Sequence, residues 1–439
     1  MSLTLDVSLP EGWSRRPLSD LCEILSGGTP SKANASFWQG DIPWVSGKDM
    51  KTPRLDDTID HINSDGLAAG SRLAPAGAVL LLVRGMGLAK DLPVAVVRRP
   101  MAFNQDIKAL VPRTRISGSF IRAAIYQSRD YLLSRIVPSA HGTMTLNLDD
   151  VRTFTIPTPQ DPTEGDAIGS ILDSVFDAMD LATQQVTAAE ALRRAAMQLL
   201  FSRGLRGEAQ KDTEIGPVPE SWDVVAFETV RQWLQYGTST HCTYEPTEFP
   251  VLRIPNITPG QVDVQDIKFA KFSAAEAERY WLENGDLIFI RTNGVIERLG
   301  ACAVYEGQPE GALFASYLIR ARPKLTRIVP RFAAYFFGSE LGTGIIAGRA
   351  TPAADGKYNL NTGNIDSLPI PVPPTLDEQR EIVAVLDAID RKINLHRRKR
   401  DVLDELFKTL LHKLMTGEIR VADLDLSALS SRLTVEVAA

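Results

Sequence analysis

"IPVPPTLDEQREIVAVLDAID", residues 370–390, reads as the end of a strand, a proline break and the opening of a long helix. Residues 156–180, "IPTPQDPTEGDAIGSILDSVFDAMD", spell the same joint earlier in the chain. Pro162 and Pro374 prevent the preceding strands from continuing, because proline offers no N–H to a ladder. Beyond the second break, apolar residues recur at Ile382, Leu386, Ile389, Ile393, Leu403, Phe407, Leu410 and Leu414, with His396 and Arg400 in the intervening slots. Beyond the first they recur at Ile168, Leu172, Val175, Met179, Ala182, Val186 and Ala189, and Arg193 interrupts before Ala196 and Leu200. Steps of three and four make a heptad seam, the signature of paired helices. Thr375 with Glu378 reads as a capping box, and Thr163 with Asp166 as its weaker echo.

The joint is one part of a longer repeat. "LPEGW" (9–13) is answered by "VPESW" (218–222), and "GAVLLLVRG" (77–85) by "GDLIFIRTNG" (285–294). "FNQDIKALVP" (103–112) is answered by "FASYLIRARP" (314–323), and "LNLDDVRTFTIPTP" (146–159) by "LNTGNIDSLPIPVP" (360–373). The matches are collinear, so the chain is a tandem duplication. Each half carries short β-type runs such as "AVLLLV" and "DLIFI". An amphipathic helix follows over "GSFIRAAIYQSRDYLLSRIV" or "PRFAAYFFGSELGTGIIAG". The predicted fold class is α+β: two duplicated α/β domains, each followed by a helix of about 40 residues and about 60 Å.

Length constrains how those helices pair. A domain of about 150 residues is roughly 40 Å across, so parallel packing would force the second domain to carry the chain back some 60 Å. Antiparallel packing asks only that its entry and exit lie near one end. The expectation is an antiparallel coiled-coil pair with a domain at each end.

Composition narrows the functional classes. The chain has 439 residues, 44% hydrophobic and 23% charged, as in ordinary globular proteins. No apolar run approaches the 18 to 20 residues of a membrane span, and the first residues carry no basic-then-apolar signal, so a cytoplasmic protein without a membrane role is expected. Cys22, Cys242 and Cys302 are scattered and form neither a disulfide framework nor a metal site. A net charge of −6 argues against non-specific coating of nucleic acid. Residues 1–160 nevertheless carry 18 Lys/Arg against 15 Asp/Glu, so a DNA surface would be a local patch.

Enzyme motifs are poorly matched. "GDIPWVSGKD" (40–49) has six residues between its glycines and Asp49 after the lysine, unlike a Walker loop. "RGMGLAKD" (84–91) lacks the third glycine of a dinucleotide site. No "NPPY" or "DPPY" string that would cradle a flipped adenine is present. Nothing points to a Ser/His/Asp triad.

The strings "LPEGW", "SGGTPSKANASFWQGDIPWVSGKDM", "HGTMTLNLDDVRTFTIPTP" and "LPIPVPPTLDEQREIVAVLDAIDRKI" together resemble the specificity (S) subunits of type I restriction-modification systems, from Leu9 to about Val421. The resemblance implies two target-recognition domains, residues 1–160 and 218–374. It implies spacer helices at 161–203 and 375–416, a linker at 204–217 and a tail at 417–439. It implies a non-catalytic host-defence protein whose partners are double-stranded DNA, two copies of an adenine methylase subunit and a restriction (translocase-nuclease) subunit. No cofactor is expected in this chain; S-adenosylmethionine, ATP and magnesium belong to the partners. Because the two halves differ in sequence, an asymmetric two-part target is expected, which fits the general geometry of half-sites read by paired domains. The alternatives are the specificity subunit of a methylation-only complex, a coiled-coil adaptor, or a hydrolase with an unseen site.

Reading base edges requires donors and acceptors on loops. In the first half Thr29, Ser31, Lys32, Lys48, Arg84, Lys90 and His141 satisfy this. In the second half Arg253, Asn256, Arg291, Asn293, Arg298, Arg349, Lys357 and Tyr358 do. Arg84 and Arg291, each just past a strand, are expected at matching positions with a common role on phosphate.

Overall fold

The computed structural model describes residues 9–113, 115–139 and 142–424. The chain divides into two units, residues 1–182 with 398–439, and residues 183–397.

In the first unit the apolar runs become the strands Val79–Leu82 and Val94–Val97, buried at every position. Continuous Val/Leu runs of this kind suit strands covered on both faces. Val79–Leu82 lies between Val94–Val97 and Ile107–Pro112, with Cys22–Ser26 beyond the latter and Arg54–Leu55 pairing in parallel with Val94–Val97. A second sheet orders Asp60–Ile62, Ile42–Val45, Met101–Phe103 and Arg72–Ala74. The second unit repeats this order, with Ile257–Thr258 added to the larger sheet and three strands in the smaller one. Arg231–Tyr236, Leu318–Pro323, Leu287–Ile290 and Cys302–Val304 follow one another, and Gly260–Val262 joins in parallel. Phe249–Leu252 pairs with Lys268–Ala270 and Leu313–Phe314 in the smaller sheet. The duplication is therefore one of topology as well as of wording.

The repeated tryptophan has a structural task. Trp13 opens the strand Trp13–Pro17, which pairs with Thr155–Pro159, and its ring packs 6.3 Å from Phe120. Trp222 precedes Asp223–Ala226, which pairs with Pro369–Val372, and packs 6.2 Å from Phe332. In both units the indole plugs the place where the start of the domain meets the strand leading into the long helix.

Periodicity predicts one amphipathic helix in each half, but each is broken in two. Gly118–Gln127 is followed by Arg129–Ser134, and Pro330–Phe337 by Glu340–Ala347. Ser128 leaves helical geometry at φ −99°, ψ 17°. Ser339 starts a new helix by accepting the Gly342 N–H at 3.0 Å. Apolar spacing runs through both breaks, so periodicity alone misses them.

The long helices span Pro162–Arg203 and Leu376–Thr416. Only half of the expected capping box forms: the Glu378 N–H donates to Thr375 Oγ1 at 3.3 Å. The Glu378 carboxylate is instead buried, receiving Trp222 Nε1 at 3.3 Å with Arg206 at 3.8 Å. In the first helix Asp161 accepts from both the amide and the hydroxyl of Thr163, so Asp161 is the cap. Gly204 (φ +61°) and Gly417 (φ +70°) close the two helices in the left-handed conformation that glycine adopts without strain.

The seam is buried within each unit. In the first, Ile168, Leu172 and Val175 share a core with Phe407, Leu411, Leu414 and Met415, and Arg420 reaches Glu164 at 3.1 Å. Leu411 and Met415 are more deeply buried than the expected Leu410. In the second, Met197, Leu200 and Phe201 share a core with Ile382, Val383 and Leu386. Arg193, which interrupts the heptads, pairs with Asp390 at 2.8 Å, and Glu190 pairs with Arg397 at 2.5 Å. No helix among the described residues is long and apolar enough to cross a membrane.

Candidate nucleic-acid interface

In each unit, loops leaving the strand ends gather around one short backbone segment. A Cβ on Gly27 would lie 2.3 Å from the carbonyl oxygens of Phe103 and Asn104; a Cβ on Gly237 would lie 2.3 Å from those of Phe314 and Ala315. Only glycine permits so close an approach. It brings the "GGTPSK" loop and its counterpart "GTSTHC" against matching chain segments. Two indoles then hold the first loop: Trp44 Nε1 donates to the Gly28 carbonyl at 3.0 Å, and Trp38 Nε1 to the Ser31 carbonyl at 3.3 Å. Ser31 and Lys32 are left exposed, with Lys32 Nζ 5.9 Å from the Trp38 ring centre.

Thr29 Oγ1 donates to Gln105 Oε1 at 2.6 Å, while the adjacent Asp106 carbonyl accepts the Val83 and Arg84 amides at 2.9 and 3.3 Å. Thr29 and Arg84 therefore stand on adjoining loops. Arg84 is exposed, as is Lys90 beyond the turn Met86–Ala89. Lys48 is exposed but paired with Asp60 at 2.8 Å, a hydrogen bond that raises its pKa above the ordinary lysine value. His141 lies outside the described residues.

In the second unit Arg291 lies 4.6 Å above the Tyr236 ring, a cation–π arrangement that leaves its buried Nε without a protein partner. Thr292–Asn293 forms a small sheet with Tyr358–Asn359 and Thr351–Pro352, so Arg291, Asn293, Lys357 and Tyr358 are brought together. Lys357 pairs with Asp355 at 2.8 Å, and Tyr358 is half-buried against the core. Arg298 is exposed on the following turn, and Arg349 donates to Ser367 Oγ at 2.8 Å. Arg253 pairs with Asp266 at 3.0 Å.

Asn256 is a turn lock and not a base reader. It is 1% exposed; its Oδ1 accepts the Arg253 N–H at 2.8 Å and its Nδ2 donates to the Asp263 and Asp266 carbonyls. Asp49 does the same for Ser46 in the first unit, accepting its N–H at 2.9 Å. The expected match of Arg84 with Arg291 is also displaced by one residue. The Leu146 amide binds the Val83 carbonyl and the Leu360 amide binds the Arg291 carbonyl, so Arg291 registers with Val83, and Arg84 with Thr292. Successive strand residues face opposite sides, so the two arginines do not occupy matching positions.

Three aromatic residues that the sequence reading missed stand among these candidates. Tyr244 is 64% exposed, with Lys268 and Arg253 at 4.6 and 5.9 Å from its ring centre. A hydrogen bond from Tyr244, reinforced by Arg253, holds Asp266 below the ordinary aspartate pKa. Tyr236 and Tyr317 are exposed beside Arg291, whose amide donates to the Tyr317 carbonyl at 3.0 Å. An aromatic face between cations suits nucleic acid, where bases stack and phosphates need positive charge.

The described ends of the hairpin beside these residues match in the two units. The Ser139 amide donates to Thr143 and the Ala353 amide to Lys357, each at 2.8 Å, around Gly142 and Gly356. Thr143 stands where Lys357 does, and Met144 where Tyr358 does. The frame is shared and the side chains are not.

The sequence matches the family model for the "Type I restriction modification DNA specificity domain" over residues 10–191 and again over 221–405. It is 24% identical to the EcoKI specificity subunit of Escherichia coli strain K12 over 429 residues, covering 94% of this chain and 90% of that protein. The EcoR124I/EcoR124II specificity subunit of Escherichia coli is 32% identical over 166 residues, covering 37% and 41%. The crystal structure of the type I S subunit from M. genitalium shares the fold, with a TM-score of 0.59 at 13% identity over 94% of this chain and 98% of that one.

Proposed function

Because the chain belongs to the family of type I restriction-modification specificity subunits, matching its DNA specificity domain twice, we propose that it is the non-catalytic DNA-recognition subunit of such a complex. Residues 1–160 and 218–374 are its target-recognition domains, and each reads one half of an asymmetric, two-part DNA sequence. The helices at 161–203 and 375–416 form an antiparallel coiled coil that sets the gap and docks two adenine methylase subunits. Methylation with S-adenosylmethionine, and cleavage driven by ATP and magnesium, reside in those partners and in a translocase-nuclease subunit.

One observation carries the reading: matching hairpin ends in the two units carry different side chains, Thr143 against Lys357 and Met144 against Tyr358. Different side chains on one frame read different bases, which makes a two-part asymmetric target the natural product of this duplication. Docking is supported by exposed apolar residues on the long helices, among them Leu181, Leu192, Leu199, Leu395, Val402 and Leu406. Apolar side chains exposed at helical spacing are what a partner helix covers. Methylome sequencing of a host carrying this chain and its cognate methylase tests the proposal. The expected outcome is one modified motif with two defined, unequal parts and a fixed unspecified gap; a palindromic motif or no modification overturns it.

A further inference from the structure

Asp173 and Asp387 occupy the same place in the two long helices, each the twelfth residue. Asp173 faces Gly118–Gln127 and Asp387 faces Pro330–Phe337, the corresponding helices of the two units. Asp173 receives Ser119 Oγ at 2.5 Å and the Arg122 guanidinium at 3.0 Å, and its backbone carbonyl receives Arg54 at 3.2 Å. Asp387 receives the Arg331 guanidinium at 2.6 and 3.0 Å and the Tyr335 hydroxyl at 2.6 Å. The same hydroxyl lies 2.8 Å from Asp390. The carboxylate is shared, but the groups that meet it differ in kind: Ser119 and Arg331, each the second residue of its helix, are joined by Arg122 at the fifth position in one unit and by Tyr335 at the sixth in the other. One contact kept at one place while its partner groups have been exchanged points to a demand on the joint.

Stability alone does not explain that demand. The Arg122 side chain is 3% exposed and that of Asp173 16%. Desolvating such a pair offsets most of its Coulombic gain, and apolar residues of like volume serve stability as well or better. What the pair adds is direction. Helix packing angles scatter by about 15 to 20° when side-chain ridges alone decide them. A base-reading edge about 20 Å from the joint moves by about 3.4 Å, one base step, when the domain tilts by roughly 10°. Apolar packing is therefore too permissive by about one base pair, and a directional lock is not. Burial and the two aspartates push the Tyr335 phenol above its ordinary pKa, so it remains a donor in this lock.

We propose that Asp173 and Asp387 are positioning residues that fix the seating angle of each recognition domain on its long helix, and so confine the modified target to a single gap length. This rests on the reading of the long helices as a spacer. The test uses the whole chain with its cognate methylase in a host that lacks other modification, comparing wild type, Asp173→Asn, Asp387→Asn and the paired replacement Arg122→Met with Asp173→Leu. The paired replacement removes the charges without leaving one buried alone, and decides the matter where a single variant fails to fold. The expected result is modification at sites one base longer or shorter, at a tenth or more of the wild-type level, with the bases of both halves unchanged. Folded variants that keep one gap, at any level of modification, overturn this inference alone. A wild-type chain that yields no two-part motif overturns the spacer reading and this inference together.

Discussion

The opening turns of the two long helices look unlike in sequence, "DPTEGDAI" against "PTLDEQREI", yet they make the same attachments. In the second, Gln379 is buried, accepts the Val329 amide at 2.7 Å and donates to the Arg327 carbonyl at 3.0 Å. In the first, Gly165 stands where Gln379 does, and the tie moves one residue on: Asp166 accepts the Ser117 amide at 2.8 Å. Ser117 and Val329 are the N-cap residues of the corresponding helices Gly118–Gln127 and Pro330–Phe337. The carboxylates correspond as well, Glu164 meeting Arg420 and Glu378 approaching Arg206. The duplication has thus conserved where the long helix holds its domain, while the groups that hold it have been exchanged.

That comparison can be broken at several scales. Replacing residues 10–155 by the corresponding domain of another family member is expected to change one half of the methylated motif completely and leave the other intact; a change in both halves would show that the two copies are not independent readers. Inserting four residues after Ala189 is expected to change the gap or abolish modification, and an unchanged gap would remove the helix from its role as a ruler. Arg291→Ala is expected to weaken DNA binding by about 1–3 kcal/mol, roughly five- to 150-fold, as read by fluorescence anisotropy on the cognate site. Arg84→Ala should then differ from it in salt dependence, since the two arginines occupy different registers.

The smallest effects concern the ties themselves. Gln379→Ala leaves the part-buried Val329 amide and Arg327 carbonyl without their side-chain partner and is expected to destabilise its unit by about 2 kcal/mol. At roughly 2–4 °C per kcal/mol for units of this size, calorimetry should show a fall of about 4–8 °C in one transition. Asp166→Ala removes a single bond and should shift the other unit by about half as much. Equal shifts, or a shift of both transitions by either substitution, would show that the two ties are not equivalent attachments of separate units.

Much of the fold could be read from the chain because duplication lets one half annotate the other. The heptad residues Ile168, Leu172, Val175, Ile382 and Leu386 are buried as their spacing demands, and "LPEGW" and "VPESW" mark the tryptophan plugs. The breaks at Ser128 and Gly338–Ser339 escaped because hydrophobic period is blind to a kink that preserves the buried face. The spacing of Glu378 from Thr375 fits a cap, whereas its carboxylate meets Trp222, 156 residues away. The interface was less legible still. Asn256 has the composition of a base reader and the environment of a turn, which burial alone distinguishes. The stack of Tyr236 under Arg291, and the cations around Tyr244, join strands far apart in sequence, although an exposed tyrosine in the "STHCTYEP" loop is a signal that composition could have raised.

The division of the first unit has a consequence for how the protein is made. Its core takes in Phe407, Leu411, Leu414 and Met415, and Arg420 hydrogen-bonds the Glu11 carbonyl at 2.7 Å. A ribosome adding about 5–20 residues per second needs roughly ten to forty seconds to travel from residue 182 to residue 398. Throughout that interval the emerged amino-terminal domain carries an uncovered apolar helix face, while residues 183–397 are translated as one uninterrupted unit. The domain synthesised first is therefore completed last. A nascent chain stalled before residue 398 would present a finished second domain behind an unfinished first one, the kind of surface on which chaperones and proteases act.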